Sequence, residues 1–172
     1  MIEEIVIEEN ETKHLFIVHD TSEAKEYFIR LSGRNASVHI DELFLSDAKS
    51  NIVVMHEAPN TKSEVFTRGI VQKNTTSYAT IRIPKSMHGC DTFVSQKFLL
   101  LNDSAEVKAI PSLEIETDQV KAGHAASVAP LNDDKLFYLK SRGLPEKEAR
   151  ALLVEQFLSV PQDFKHLVEK LV

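Results

Sequence analysis

Between about residue 26 and residue 128, apolar and polar side chains alternate with a period of two, in short runs separated by small polar turns. That is the pattern of half-buried strands. Four runs resemble one another: "LSGRNASVHI" from Leu31, "LSDAKSNIVV" from Leu45, "VQKNTTSYAT" from Val71 and, one position shorter in its turn, "LNDSAEVKAI" from Leu101. Each passes from an apolar residue through a polar turn into an alternating strand. The intervals from Leu31 to Leu45, from Leu45 to Val71 and from Val71 to Leu101 are close to one, two and two steps of a common unit. Such a repeat suggests a stacked β-coil, in which a continuous apolar stripe is buried that no single coil buries alone, and the last coil needs a cap or a partner. An antiparallel sandwich or barrel also spaces strands and turns regularly, so periodicity leaves both architectures open.

Near residue 130 the period changes from two to three and four. "NDDKLFYLKSRG" predicts a helix with Asn132 as its N-cap, acidic residues in its first turn, basic ones in its last, and Gly143 as its stop. Pro145 opens a second helix, on which Ala149, Leu152, Leu153, Gln156 and Phe157 fall on one mostly apolar face, and Pro161 starts a third, short one. The chain therefore divides into an N-terminal segment, residues 1–25, a β core, residues 26–130, and a small helical appendage, residues 131–172.

Length and charge narrow the possibilities. The 172 residues suffice for one domain with a self-sufficient core. No apolar run approaches the roughly 20 residues of a spanning helix, and the acidic start "MIEEIVIEENETKH" is unlike an export signal, which together predict a cytoplasmic protein. The net charge is −6, with 26 acidic and 20 basic side chains and no basic block, which argues against nucleic acid as a partner. No "GxxxxGK[ST]" stretch occurs, so no phosphate-binding loop for ATP hydrolysis is expected.

Candidate chemistry concentrates in four places. "VKAGHAASVAP", Val120 to Pro130, sets His124 among Gly123, Ala125 and Ala126. A histidine in a small-residue strand is either packed and hydrogen-bonded or left open to close approach by another chain. The single cysteine, Cys90, excludes an internal disulfide; in "HGCD" it lies beside His88 and Asp91, a weak metal signal and more simply an incidental turn thiol. Glu114, Glu116 and Asp118 in "SLEIETDQ" would share one face if all three lay on a strand, as a carbohydrate-cleaving acid pair requires, although plain half-buried alternation explains the same spacing. His56 in "HEAPNT" is expected to shape a turn through side-chain hydrogen bonds, and His14, His19, His39 and His166 carry no motif.

Four ordered stretches, "HEAPNTKSEVFTRGIV" from His56, "LLLNDSAEVKAIPSLEIETDQVKAGHAAS" from Leu99, "DDKLFYLKSRGL" from Asp133 and "EARALLVEQF" from Glu148, resemble the SufB/SufD family, scaffold subunits of the SUF iron–sulfur cluster assembly system. The likeness covers roughly residues 26 to 158 and is weak before them. It implies a mainly β fold, a right-handed parallel β-helix with C-terminal helices. It also implies dimerisation, with a SufB-like subunit or with itself, through the β-helix end that contains Val120, Gly123, His124, Ala125 and Ala126. His124 matches the "KAGHA"-type histidine at the dimer junction, where a transient iron–sulfur cluster is expected. The terminal helices would dock a SufC-like ABC ATPase through Leu136, Phe137, Tyr138, Arg142, Leu153 and Phe157.

The departures point to the SufD type. "SQKF", Ser95 to Phe98, holds no counterpart of the cluster-associated cysteine of SufB-type chains, and Ala122 stands where many SufD chains carry cysteine. Cys90 lies where family chains generally have none. The expectation is a non-enzymatic, short SufD-like form without the family's N-terminal helical region. Two alternatives accompany it, a structural paralogue that steadies the ATPase without touching iron and a β-helix carbohydrate-active enzyme.

Overall fold

In a computed structural model that describes residues 2–159, ten strands and two helices follow one another along the chain. The strands are β1 (Ile2–Ile7), β2 (Thr12–His19), β3 (Lys25–Leu31), β4 (Ser37–Phe44), β5 (Lys49–His56), β6 (Lys62–Val71), β7 (Asn74–Ile83), β8 (Asp91–Leu100), β9 (Glu106–Ile115) and β10 (Lys121–Pro130). Odd strands form one sheet in the order β1-β3-β5-β7-β9, and even strands form the other, β10-β8-β6-β4-β2. Every pairing is parallel. A sandwich of hairpins requires antiparallel neighbours, so the chain is a solenoid of two-stranded coils.

Register explains the repeat. Thr12 lies beside Ser37 and Ser37 beside Lys62, a constant step from coil to coil, whereas the steps from Lys62 to Asp91 and from Asp91 to Lys121 are slightly longer. The interval between Leu31 and Leu45 is thus a half-coil, from one sheet to the other, and the longer intervals are whole coils. The N-terminal segment, set apart in the sequence pattern, supplies β1 and β2, which pair with β3 and β4 as the first coil. Asn10, Asn35 and Asn60 hold the same turn in successive coils at φ of 57°, 60° and 58°, and Gly89 takes the position at 68°. Asparagine tolerates this left-handed conformation because its side chain bonds locally; Asn35 Nδ2 donates to Asn10 Oδ1 at 2.9 Å.

The core lies between the sheets, where Ile7, Ile29, Leu31, Val38, Ile40, Val54, Val65, Ile81 and Val94 are buried together. In parallel, in-register strands the inward residues stack into columns. One column runs Leu15–Ile40–Val65–Val94–His124, another His19–Phe44–Gly69–Phe98–Val128. Gly69 is required in the second: a Cβ there would come within 2.7 Å of both Phe44 and the Phe98 ring, whose centroids stand 5.5 Å apart. Polar residues are admitted to the interior in bonded sets. Glu42 accepts from Thr67 Oγ1 at 2.7 Å and meets His19 Nε2 at 2.9 Å.

The helices are α1 (Asp133–Ser141) and α2 (Glu146–Leu158), with Asn132 capping α1 by accepting from Lys135 N at 2.7 Å. Pro145 is the residue just before α2, and Gly143, at φ 94°, turns the chain between the helices. Helix α2 lies on the outer face of the even sheet, where Val154 and Leu158 bury against Leu43, Leu45, Ile70 and Leu99. Its inward face is therefore rotated from the one read in the sequence: Ala149, Val154 and Leu158 are buried, while Leu152 and Gln156 are exposed. The expected helix from Pro161 lies outside the described residues.

Candidate functional site

The last strand, β10, is an edge. It pairs with β8 on one side, and no strand pairs with its other side among the described residues. By register Ala122, His124, Ala126 and Val128 continue the buried row Thr92, Val94, Gln96 and Phe98, so they belong to the inward face of a coil that no described residue closes. All four are exposed, Val128 at 47%. An aliphatic column thus ends in an imidazole. His124 is accessible, and the packed-histidine reading of this strand does not hold.

The other small residues of the stretch divide by face. Ala125 is exposed, while Gly123 lies on the outer face against the Phe93 ring, where a Cβ would meet it at 3.2 Å. Val120 packs at the margin of the core. Two of the residues expected at a dimer contact, Val120 and Gly123, are accordingly engaged within the chain. His124, Ala125, Ala126 and Val128 form the open surface, and Val128 was not among the expected ones.

Cys90 carries no ligand role in this geometry, which corrects the metal reading. It is 1% exposed and occupies the coil position of Ala36 and Thr61, the small buried residue after the turn asparagine. Its Sγ lies 3.3 Å from Thr61 Oγ1 and 3.8 Å from the Ala58 and His88 carbonyl oxygens, and it joins no group of three potential metal ligands among the described residues. A buried thiol in such surroundings is inert. The acid-pair reading fails likewise: β9 ends at Ile115, Glu116 and Asp118 belong to the following loop, and Glu114 accepts from Arg82 Nε at 2.6 Å. His56 does shape its turn. Its Nδ1 and Nε2 meet Thr61 Oγ1 at 2.7 Å and Ser63 Oγ at 2.9 Å, and burial pushes its pKa down to about 4.

On the helices the expected docking residues also separate. Leu136 is buried, and Leu153 and Phe157 are half-buried, so these three hold the helices together or onto the sheet. Phe137 is 74% exposed, Tyr138 56% exposed with the Arg142 guanidinium 5.3 Å from its ring centroid, and Leu152, read in the sequence as part of the apolar helix face and not as a docking residue, 46% exposed. Tyr138, Leu139, Leu152 and Leu153 line an apolar groove between the helices. Large exposed aromatics of this kind are the usual anchors of an interface.

His14 and His39, without a motif in the sequence, are brought together with Asp41 on the outer face of the even sheet. The available signal was that the two histidines stand one coil apart. Among the described residues no helix is long and apolar enough to cross a membrane.

Comparison with known proteins places these features in context. Residues 8–157 match the family model "SUF system FeS cluster assembly, SufBD core domain". An iron–sulfur cluster assembly SufBD family protein of Mycobacterium leprae is 33% identical over 161 residues, covering 81% of this chain and 41% of that protein. A SufBD family protein of Mycobacterium tuberculosis is 34% identical over 143 residues, covering 75% of this chain and 36% of its own length. The chain spans about two fifths of the length of these curated relatives.

Proposed function

The chain belongs to the SufBD family of the SUF iron–sulfur cluster assembly system, and from that premise we propose that it is a SufD-like, non-enzymatic scaffold subunit. In this reading it pairs through the open β10 end with a SufB-like subunit or a second copy, and docks a SufC-like ABC ATPase on the exposed side of α1 and α2. The observation that carries it is His124, an accessible imidazole on the inward row of an unclosed coil, flanked by residues small enough for another coil to approach. The cluster is cargo. Imidazole suits iron, but the only thiol of this chain is buried, so soft ligands come from the partner, which favours a SufB-like subunit over self-pairing at a loaded junction.

Co-purification with a SufC-type ATPase and a SufB-type subunit, followed by anaerobic reconstitution with iron and sulfide, tests both surfaces. His124→Ala is expected to abolish the iron-dependent absorption with the melting temperature unchanged. Phe137→Asp is expected to lose the ATPase with the fold intact. Iron-dependent absorption that survives His124→Ala removes the cluster role, and an ATPase retained by Phe137→Asp removes the docking site.

A further inference from the structure

Among the described residues, α2 covers one half of the outer face of the even sheet and leaves the other uncovered. On the uncovered half, register sets His14, His39 and Glu64 side by side on β2, β4 and β6, with Asp41 two positions beyond His39. Asp41 Oδ2 meets His14 Nε2 at 2.7 Å and His39 Nε2 at 3.3 Å, while His39 Nδ1 meets Glu64 Oε2 at 3.2 Å. His39 thus faces a carboxylate at each ring nitrogen. A neutral imidazole has one N–H and serves only one of them, leaving a lone pair against an anion at the other.

A divalent cation resolves that conflict. Placed between His14 Nε2, His39 Nε2 and an Asp41 oxygen, it takes the three lone pairs, and the proton on His39 Nδ1 then serves Glu64. This is the carboxylate–histidine–metal arrangement that fixes tautomer and ring orientation at metal sites. Spacing agrees as well. The ligand atoms already lie within 4.8 Å of one another. A tetrahedral zinc ion with bonds of about 2.0–2.1 Å needs them about 3.3 Å apart. His14, with 62% of its side chain exposed, is free to swing the short contact open. The set is nitrogen-rich and lacks sulfur, which suits zinc better than calcium or magnesium.

We propose that His14, His39 and Asp41 form a surface site for a single Zn²⁺ ion, with Glu64 as the positioning residue behind His39 and the fourth coordination position open to solvent. The site is separate from the β10 end and stands whether or not the cluster role does. Tag-free, metal-stripped protein titrated with Zn²⁺ alone, by calorimetry and by metal analysis after dialysis, is expected to take up one tight equivalent. His39→Ala and Asp41→Asn should each abolish it. Glu64→Gln should keep the stoichiometry but weaken affinity about 10–100-fold, and His124→Ala should change nothing. These side chains lie at the surface, so the melting temperatures of the metal-free variants should match that of the parent. Absence of a tight equivalent, its retention in His39→Ala or Asp41→Asn, or unaltered affinity in Glu64→Gln overturns the proposal.

Discussion

The two ends of the even sheet are built from the same columns and finished in opposite ways. At the β2 end the inward row reads Lys13, Leu15, Ile17 and His19; at the β10 end it reads Ala122, His124, Ala126 and Val128. Lys13 lies in register with the buried Val38 and is thus an inward-row charge on an edge strand, its Nζ donating to the Val6 carbonyl at 2.9 Å. Lys25 does the same for Val18 at 3.0 Å. Inward charges and lysines are standard guards against edge pairing, and small, uncharged residues are the opposite. One end is therefore guarded by its own side chains, and the other, among the described residues, is not.

The hardest test of that contrast is to give the open end the chemistry of the guarded one. Ala126→Arg sets a long cation on the inward row beside the buried Gln96, at the mouth of the last coil. If the β10 end pairs as proposed, light scattering should show the mass of the assembly falling to that of a single chain, with the melting temperature of the isolated chain little changed because Ala126 is already exposed. An assembly of unaltered mass would place the pairing surface elsewhere.

How much of this contrast was legible in the sequence differs by level. Alternation from about residue 26 to residue 128 and the recurring turns were visible, because strand period and turn chemistry are local. The choice of solenoid over sandwich was not, since pairing direction is a long-range property; the family likeness supplied it. A local pattern was also missed: the asparagines Asn10, Asn35 and Asn60, one coil apart, mark the register and draw the N-terminal segment into the core. His124 stood out through its small neighbours, whereas its exposure depends on β10 being an edge. Cys90 misled for the reverse reason. Its sequence neighbours are ligand-capable, but its spatial neighbours are Thr61 and backbone carbonyls of the adjacent coil. The His14–His39–Asp41 set could be found only through the same coil spacing that the asparagines mark, because nothing local joins residues one coil apart.

Between the ends lies a middle that protonation of His56 should weaken. His56 is buried and neutral, with its pKa held at about 4 by loss of solvent. In the unfolded chain it titrates near 6.5, so below that pH the unfolded state binds a proton that the folded state refuses. Stability attributable to His56 is complete above about pH 6.5 and is lost as the pH falls towards 4, by about 3 kcal/mol in total. Denaturant titrations at pH 7 and pH 4.5 should therefore show a smaller loss on acidification in His56→Gln than in the parent. Equal losses in the two would mean that the acid sensitivity lies in the carboxylates.

The smallest effect is expected at the guarded end. Lys13→Ser removes the inward charge and its hydrogen bond to Val6, together with a 3.2 Å ion pair to Glu11. These contacts are partly solvated, and exposed pairs of this kind contribute little to stability, so the denaturant midpoint should fall only slightly. The mass should not rise either, because the Lys25 amino group still occupies the Val18 carbonyl and the first coil keeps Glu3 and Glu4 exposed on β1. Charge at this end is distributed over several side chains, whereas the open end depends on the smallness of its residues in one strand. A Lys13→Ser variant that associates, with Ala126→Arg present to silence the other end, would show that a single lysine keeps the two ends different.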